Sequence, residues 1–336
     1  MAIVISKSSG LNDDFWKPVG ATINAVLQEA DQEQSNYDDF VKSVTLEKKS
    51  KKYAEKQTSI TSLSDFQVTA EGADAPLDDM QEGTPKLIVH STFQKRVDIT
   101  KELIDDAEFD TVKAKEKALV KAYKRTRAGL LSAALTSTGT TFTYGGATID
   151  RTTGDGKPLF ATNHNSVITG VPVQSNIFTN PFGSDATMLI KLANIGRNFK
   201  NESGQVTGYT FNKIIIPSNA PELEETIKRI IGSQLAPGTA NNDYNTQKGR
   251  WQLVVDPLWQ YDPAVYTNGA PYMIMSDEAN ADYVGNVFYD RIPLDVKHEV
   301  KIENRNLVTT GYARMSAGFN NWRQILFGGA LEGTTI

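Results

Sequence analysis

The residues of this chain best suited to catalysis lie close together, between Asp155 and Ser166. His164, with Asp155 and Ser166 nearby, offers the residue types that a serine hydrolase combines as orienting acid, base and nucleophile. Ser166, however, lacks the Gly-x-Ser-x-Gly surroundings of a nucleophile elbow. We therefore predict no catalytic residue, and a cytoplasmic hydrolase centred on His164 remains as an alternative.

A glycine-containing turn at Gly156 and Lys157 is a second place where chemistry could occur. A phosphate-binding loop would need glycine at the position of Arg151 and serine or threonine at the position of Pro158. Because neither requirement is met, we interpret the segment as a plain turn. No cofactor is predicted.

Metal binding is a third option, and the sequence offers little for it. The three histidines are too far apart for a local metal motif: His90, His164 and His298. Asp78, Asp79 and Glu82 could hold a divalent cation weakly, but acidic clusters of this kind are usually solvated or face a basic neighbour. No metal site is predicted.

The composition indicates a folded protein that does not grip nucleic acid through a basic surface. Of the 336 residues, 39% are hydrophobic and 22% charged, and the net charge is −5. Cysteine is absent, which excludes disulfides, thiolate metal sites and a cysteine nucleophile. Since no apolar run is long enough for a signal peptide or a membrane span, we expect a chain made and kept in a cytoplasm.

A long polar hairpin with period-two alternation is predicted from about Lys48 to Val97. The outgoing arm is predicted at Phe66, Val68 and Ala70, and an acidic tip spans 71–82. The alternating residues of the returning arm are Leu87, Val89, Ser91, Phe93, Val97 and Ile99. A two-stranded ribbon is marginally stable alone in water, so we expect this hairpin to lie on another molecule.

Helical patterns flank the hairpin. An amphipathic helix is predicted over 18–30, a short helix over 101–107, and a long helix over 110–135 that would be about 40 Å long. Basic residues cover much of the long helix: Lys113, Lys117, Lys121, Lys124, Arg125 and Arg127. This basic face is either solvated or in contact with acidic parts of neighbouring subunits.

The second half of the chain changes to an α/β pattern. Helices and strands alternate over 184–290, which predicts one compact subdomain. After it, Leu294, Val296, His298 and Val300 alternate with charged residues, and a turn leads to a partner strand over 307–315. His298 lies on the apolar face of this pair and is interpreted as a hydrogen-bonded structural histidine.

Taken in order, these elements resemble the major capsid proteins of tailed bacteriophages, with the α+β Hong Kong 97-type fold, and most closely the Mu-like major head subunits. The segment over 97–106, VDITKELIDD, resembles the start of the family's spine helix region. The segment over 155–164, DGKPLFATNH, is similar to a phrase that often follows the spine helix.

The resemblance implies a division of the chain into five parts. These are an N-arm (1–46), an extended E-loop hairpin (47–97), a peripheral domain with the long spine helix (98–183), an axial domain (184–290), and the return strands of the peripheral domain with the C-terminal segment (291–336). In the family, axial domains meet around the capsomer axis, and E-loops and N-arms overlap neighbouring subunits. Candidate intersubunit contacts are Phe66, Val68, Asp78, Asp79, Glu82, Phe93, Lys113, Lys117, Lys121 and Arg125.

The function implied is that of a shell protein and not of an enzyme. Copies would form hexamers and pentamers of an icosahedral capsid around double-stranded phage DNA, without base-specific contacts. The implied partners are a separate scaffolding protein, a portal protein and a cement protein, with no membrane. The virion would be assembled in the bacterial host cytoplasm. An encapsulin-type nanocompartment shell is the alternative nearest in fold.

Overall fold

The computed structural model of the protein describes residues 4–5, 16–60, 63, 65–77, 82–106, 109–166, 168–235 and 244–336. The helices in these ranges are α1 (Trp16–Gln32), α2 (Asn36–Val44), α3 (Lys101–Asp105), α4 (Phe109–Thr136), α5 (Thr187–Arg197), α6 (Pro221–Gly232) and α7 (Asp277–Tyr283). The strands are β1 (Val4–Ile5), β2 (Leu46–Lys49), β3 (Ala54–Ile60), β4 (Glu82–Val89), β5 (Ser91–Ile99), β6 (Thr141–Tyr144), β7 (Ala147–Asp150), β8 (Lys213–Pro217), β9 (Gln252–Asp256), β10 (Tyr272–Met275), β11 (Asn286–Val300), β12 (Leu307–Phe319) and β13 (Ile325–Gly328).

The first large sheet has five strands. Its order is β1-β11-β12-β5, and β2 also pairs with β11 in parallel. The long β11–β12 ladder is the predicted antiparallel pair, and it extends beyond the predicted bounds to Asn286 and Phe319. Alternation along these strands buries Leu294, Val296 and Leu307 against α1 and α4.

The spine helix α4 lies on this sheet. It has 28 residues, so it is about 42 Å long and confirms the predicted helix within a residue or two at each end. Leu119 approaches the sheet where β12 has Gly311, whose missing side chain leaves room for it. A Cβ there would lie 3.1 Å from Leu294 and 3.4 Å from Leu119. Glycine at this position therefore permits close packing of helix on sheet.

The second large sheet has four strands, in the order β13-β10-β8-β9. Its central strands β8 and β10 are buried along their whole length, and α5 and α6 cover it through a core that includes Leu189, Ile227 and Trp322. Strand β13 joins this sheet from the C-terminal segment. The predicted elements over 184–290 are present, but they are completed by a strand from beyond that range.

The predicted hairpin is wrong in its outgoing arm. The strand that pairs with β4 is β3, at Ala54–Ile60, and not the segment around Phe66 and Val68. That segment belongs to no paired strand. Phe66, Val68 and Ala70 alternate with polar residues, whereas β3 has Ile60 as its only large apolar residue and therefore carries no period-two signal.

The returning arm is also two strands instead of one. The chain changes sheets at His90, so that β4 pairs with β3 while β5 joins the edge of the five-stranded sheet beside β12. His90 is buried at this corner, where its ring nitrogens contact the hydroxyls of Ser50 and Ser316 at 3.0 and 2.9 Å. The hairpin is therefore joined to the sheet by a polar, hydrogen-bonded corner.

Several shorter elements differ from the sequence-based expectation. Helices α2 and α7 and strand β13 were not predicted. Helix α6 begins at Pro221, and its N-cap residue Ala220 makes no side-chain capping bond. The described part of the chain includes no helix with the length and apolar character needed to cross a bilayer.

Candidate intersubunit surfaces

Segment 65–77, which belongs to no helix or strand, presents large apolar side chains to solvent. Phe66, Val68 and Leu77 are exposed by 107%, 103% and 97%, so they touch almost nothing in their own chain. Isolated exposed apolar residues are common, whereas a cluster of them is typical of contact surfaces. These positions include two of the predicted contacts, Phe66 and Val68.

The structure describes residues 71–77 of the predicted acidic tip. Asp78 and Asp79 lie outside the described residues, and for Glu82, at the start of β4, only the backbone is described. Their assignment as intersubunit contacts stays a prediction. Of the described acidic residues before them, Glu71 and Asp74 are exposed.

Phe93, another predicted contact, is half-buried on β5. Its ring lies 6.4 Å from the ring of Tyr144 in the β6–β7 hairpin. The two rings border a groove of about 320 Å³ between β5 and the spine helix, and Tyr123, Arg125 and Leu294 also line it. Phe93 thus contributes to a concave surface instead of projecting from the molecule.

One part of the basic helix face contacts the chain's own N-terminal helix. The Lys117 ammonium lies 3.1 Å from Glu33 and 3.3 Å from Glu29, both on or just after α1. Hydrogen bonding to Glu33 and Glu29 raises the pKa of Lys117, and the same contact lowers the pKa of Glu33. Lys117 therefore has acidic partners in its own chain, and its assignment as an intersubunit contact stays a prediction.

Further along the same helix, Lys124 and Arg127 are buried. Lys124 donates to the carbonyl oxygens of Asp31 and Glu33 at 2.9 and 2.8 Å and lies 3.2 Å from Asp38. These contacts cap the C-terminal end of α1, where free carbonyls favour a cation. Helix α1 is therefore fixed to the spine helix by buried charge as well as by apolar packing.

Arg127 is the centre of an ionic cluster that sequence reasoning missed. Its guanidinium contacts Glu47 at 2.5 Å, Asp38 at 3.2 Å and Asp290 at 3.3 Å, and it packs over the ring of Phe288. Burial raises the pKa of Asp290 to about 6, against the opposing effect of Arg127. The cluster joins α2, β2, β11 and the spine helix at one point.

The other predicted contacts on this helix are accessible to solvent. Lys121 and Arg125 are exposed, and Lys113 is half-exposed beside Asp110 at 3.6 Å. They remain candidate contacts. Arg125 also borders the groove beside Phe93.

The set of residues that suggested a hydrolase is a buried structural cluster. His164 is fully buried, stacks on Trp322 with 4.3 Å between ring centroids, and contacts Asp155 at 2.7 Å and the side-chain oxygen of Asn176 at 3.2 Å. Ser166 donates instead to Glu202 at 2.8 Å. Both ring nitrogens face acceptor oxygens, so neither is free to take a proton from a serine.

The other histidine interpretation is confirmed. His298 is buried, and its Nδ1 lies 2.9 Å from the hydroxyl of Thr309 on the paired strand β12. The Thr309 hydroxyl donates in turn to Glu116 of the spine helix at 2.6 Å. Among the residues that the structure describes, no group of three or more metal-ligating side chains is close enough to hold a metal ion.

Glu116 is a buried carboxyl that sequence reasoning did not single out. It is fully buried, its Oε2 has no hydrogen-bond partner, and burial raises its pKa from 4.5 to about 7, although the bond from Thr309 acts in the opposite direction. An ionised carboxylate here would lack a compensating cation. The contact between spine helix and sheet is therefore sensitive to protonation.

We expect Glu116→Gln to remove a pH dependence of folding. The raised pKa means that the folded protein holds this proton more tightly than the unfolded chain. The stability it contributes is present in full below about pH 4.5 and is lost by about pH 7, a difference of about 3 kcal/mol. Urea unfolding of both proteins at about pH 5 and about pH 8 measures it, and equal changes in the two would contradict the assignment.

Comparison with known proteins places these features in a family. The sequence model of a family described as phage capsid protein matches residues 83–326, which include β4, β5, the spine helix and the strands β8 to β12. Among curated proteins, none matches this chain.

Solved structures share the fold. The subunit in a structure titled capsid of an empty GTA particle aligns with a TM-score of 0.52 and 11% identity, covering 88% of this chain and 90% of that one. The native GTA particle gives 0.51 and 9%, with the same coverage. A structure from Mycobacterium phage Adephagia aligns at 0.49 and 10%, covering 90% and 91%. The predicted α+β, Hong Kong 97-type capsid fold is confirmed.

Proposed function

Because the chain belongs to the phage capsid protein family, it is a major capsid shell protein, and we propose that its copies assemble into hexamers and pentamers that close around phage double-stranded DNA. The observation that carries this proposal is the family match over residues 83–326. The geometry supports it, because the exposed apolar residues of segment 65–77 need a covering surface that their own chain does not supply.

We assign the parts of the subunit as follows, as part of the proposal. Residues 1–46 are the N-arm, 47–97 the E-loop, 98–183 the peripheral domain with the spine helix, 184–290 the axial domain, and 291–336 the return strands and C-terminal segment. The four-stranded sheet supports the assignment of residues 184–290 as the axial domain. Strand β13 of this sheet comes from the C-terminal segment.

The partners beyond the chain itself are a scaffolding protein, a portal protein and a cement protein, with packaged DNA contacted without sequence preference. The net charge of −5 supports weak, non-specific contact with DNA, since it leaves little excess of cations to displace counterions. Assembly takes place in the bacterial host cytoplasm. In this proposal the protein has no enzymatic activity.

The alternatives have less support. The hydrolase depends on His164, whose two nitrogens are occupied in a buried cluster, and on Ser166, which binds Glu202 instead. An encapsulin-type shell would share the fold, but the matching family is that of phage capsid proteins.

Experiments on the purified protein distinguish a shell protein from an enzyme. We expect rings, tubes or closed shells in negative-stain electron microscopy and a high-molecular-weight fraction in size-exclusion chromatography. A persistent compact monomer with esterase activity that His164→Ala abolishes would contradict the proposal. His164→Ala protein that still assembles, with no change in background hydrolysis, would support it.

A further inference from the structure

The five-stranded sheet ends in an open edge. Strand β5 pairs with β12 along its whole length, and no described strand pairs with its other side. An open edge is a template for a further strand, and natural edges are commonly protected by charge. Lys95 and Arg96 are exposed on β5, so this edge is protected against a basic or neutral strand but not against an acidic one.

The groove beside this edge is suited to apolar side chains. It lies between β5, the spine helix and the β6–β7 hairpin, and its lining includes Phe93, Leu119, Tyr123, Tyr144 and Met315. The cations Lys95 and Arg125 lie at the same place. A strand added to β5 would place every second side chain over this groove.

Segment 65–77 of another copy has the matching pattern. Phe66 and Val68 alternate with polar residues, all of them exposed, and the backbone over 65–70 belongs to no helix or paired strand. The segment carries Asp65, Glu71 and Asp74 and has no lysine or arginine. Six residues extend about 20 Å, which fits within the roughly 30 Å of the nine-residue strand β5.

We infer that residues 65–70 of a second copy add as a strand to the free edge of β5, with Phe66 and Val68 in the groove beside the spine helix. This rests on the proposed shell function and names the surface that receives the E-loop. Backbone hydrogen bonds would supply affinity, and the groove with Lys95 and Arg125 would select the acidic, aromatic segment. The second copy is favoured over the same chain because Phe66 and Val68 contact almost nothing in their own subunit.

Because the chain has no cysteine, disulfide trapping can test this pairing. Thr69 lies on the polar side of the segment, and Thr92, Gln94 and Arg96 are exposed and alternate with Phe93 and Lys95 along β5, with Thr92 and Gln94 also at the border of the groove. We combine Thr69→Cys with Thr92→Cys, Gln94→Cys or Arg96→Cys, so that the three pairs sample neighbouring registers. Thr69→Cys with Thr187→Cys on the exposed side of α5 is the control.

Oxidised shells should give covalent ladders of subunits for at least one β5 pair and none for the control. Adding Phe66→Asp to the reactive pair should remove the ladder. Shells that form but show no ladder in any register, or ladders as strong in the control, would overturn the inference while leaving the shell function intact.

A second measurement does not depend on assembly. A synthetic peptide of residues 63–77 with cysteine at position 69 is mixed with each single-cysteine β5 protein under oxidising conditions. Labelling of the β5 proteins, and loss of labelling with Phe66→Asp peptide, supports the inference even if the purified parent forms no shells. Labelling no stronger than that of the Thr187→Cys protein would overturn it.

Discussion

Deleting residues 72–84 should block or weaken shell formation while leaving the monomer folded. The deleted segment includes exposed residues such as Leu77. The deletion also removes the outer end of the β3–β4 ladder, where Ile60 pairs with Glu82. Shortening a surface loop changes the free energy of unfolding by less than about 1 kcal/mol. The deleted chain should therefore unfold near the parent's urea midpoint but elute as a monomer.

The control is a glycine-serine replacement of residues 72–84 at the original length. If it also fails to assemble, the side chains of the E-loop tip are needed; if it assembles, only the reach of the hairpin matters. Circular dichroism and size-exclusion chromatography give the two readouts. A deletion that unfolds the monomer, while its remaining folded fraction assembles normally, would show that the segment belongs to the subunit core.

The fold was predictable where long periodic patterns continue without interruption. The spine helix, the β11–β12 pair and strands such as Tyr272–Met275 follow directly from apolar spacing and turn residues. Their order and spacing carried the resemblance to capsid proteins. Local patterns were sufficient to predict these elements, because the spacing of apolar residues within each element indicates which of its faces is buried.

Other features depend on contacts between distant residues and could not be predicted. Residues 65–70 alternate between apolar and polar side chains and residues 54–60 do not, yet it is residues 54–60 that pair with β4. The corner at His90 depends on Ser50 and Ser316, which are far away in sequence. A single sequence contains no direct signal for such partners.

The residues of the candidate surfaces also differ in how far the sequence predicts them. The exposure of Phe66 and Val68 was predictable because apolar residues in a polar segment lack a core, and their role as contacts stays a prediction. The basic helix was harder, since Lys117, Lys124 and Arg127 look alike in sequence but bind acidic groups of their own chain. Only the fold separates them from the exposed Lys121 and Arg125.

Arg127→Met should be among the most damaging single substitutions in this chain. Methionine retains much of the side-chain volume but leaves Asp290, which is 4% exposed, without its cation. Removing one partner of a buried ion pair costs about 3–5 kcal/mol, because the other charge remains buried and unpaired. Urea unfolding at neutral pH measures the loss, and Arg125→Met, at an exposed position on the same helix, should change stability by less than about 0.5 kcal/mol.

A double variant tests whether unpaired charge, and not lost packing over Phe288, causes this loss. Asp290→Asn added to Arg127→Met removes the buried carboxylate, so the double variant should be more stable than Arg127→Met alone. Asp38 still has Lys124 as a partner, and Glu47 is partly exposed, so neither should cancel this recovery. An equal or larger loss in the double variant would mean that packing dominates. Because the cluster joins α2 and β2 to the spine helix, its loss should also loosen the N-arm, seen as faster proteolysis before residue 46.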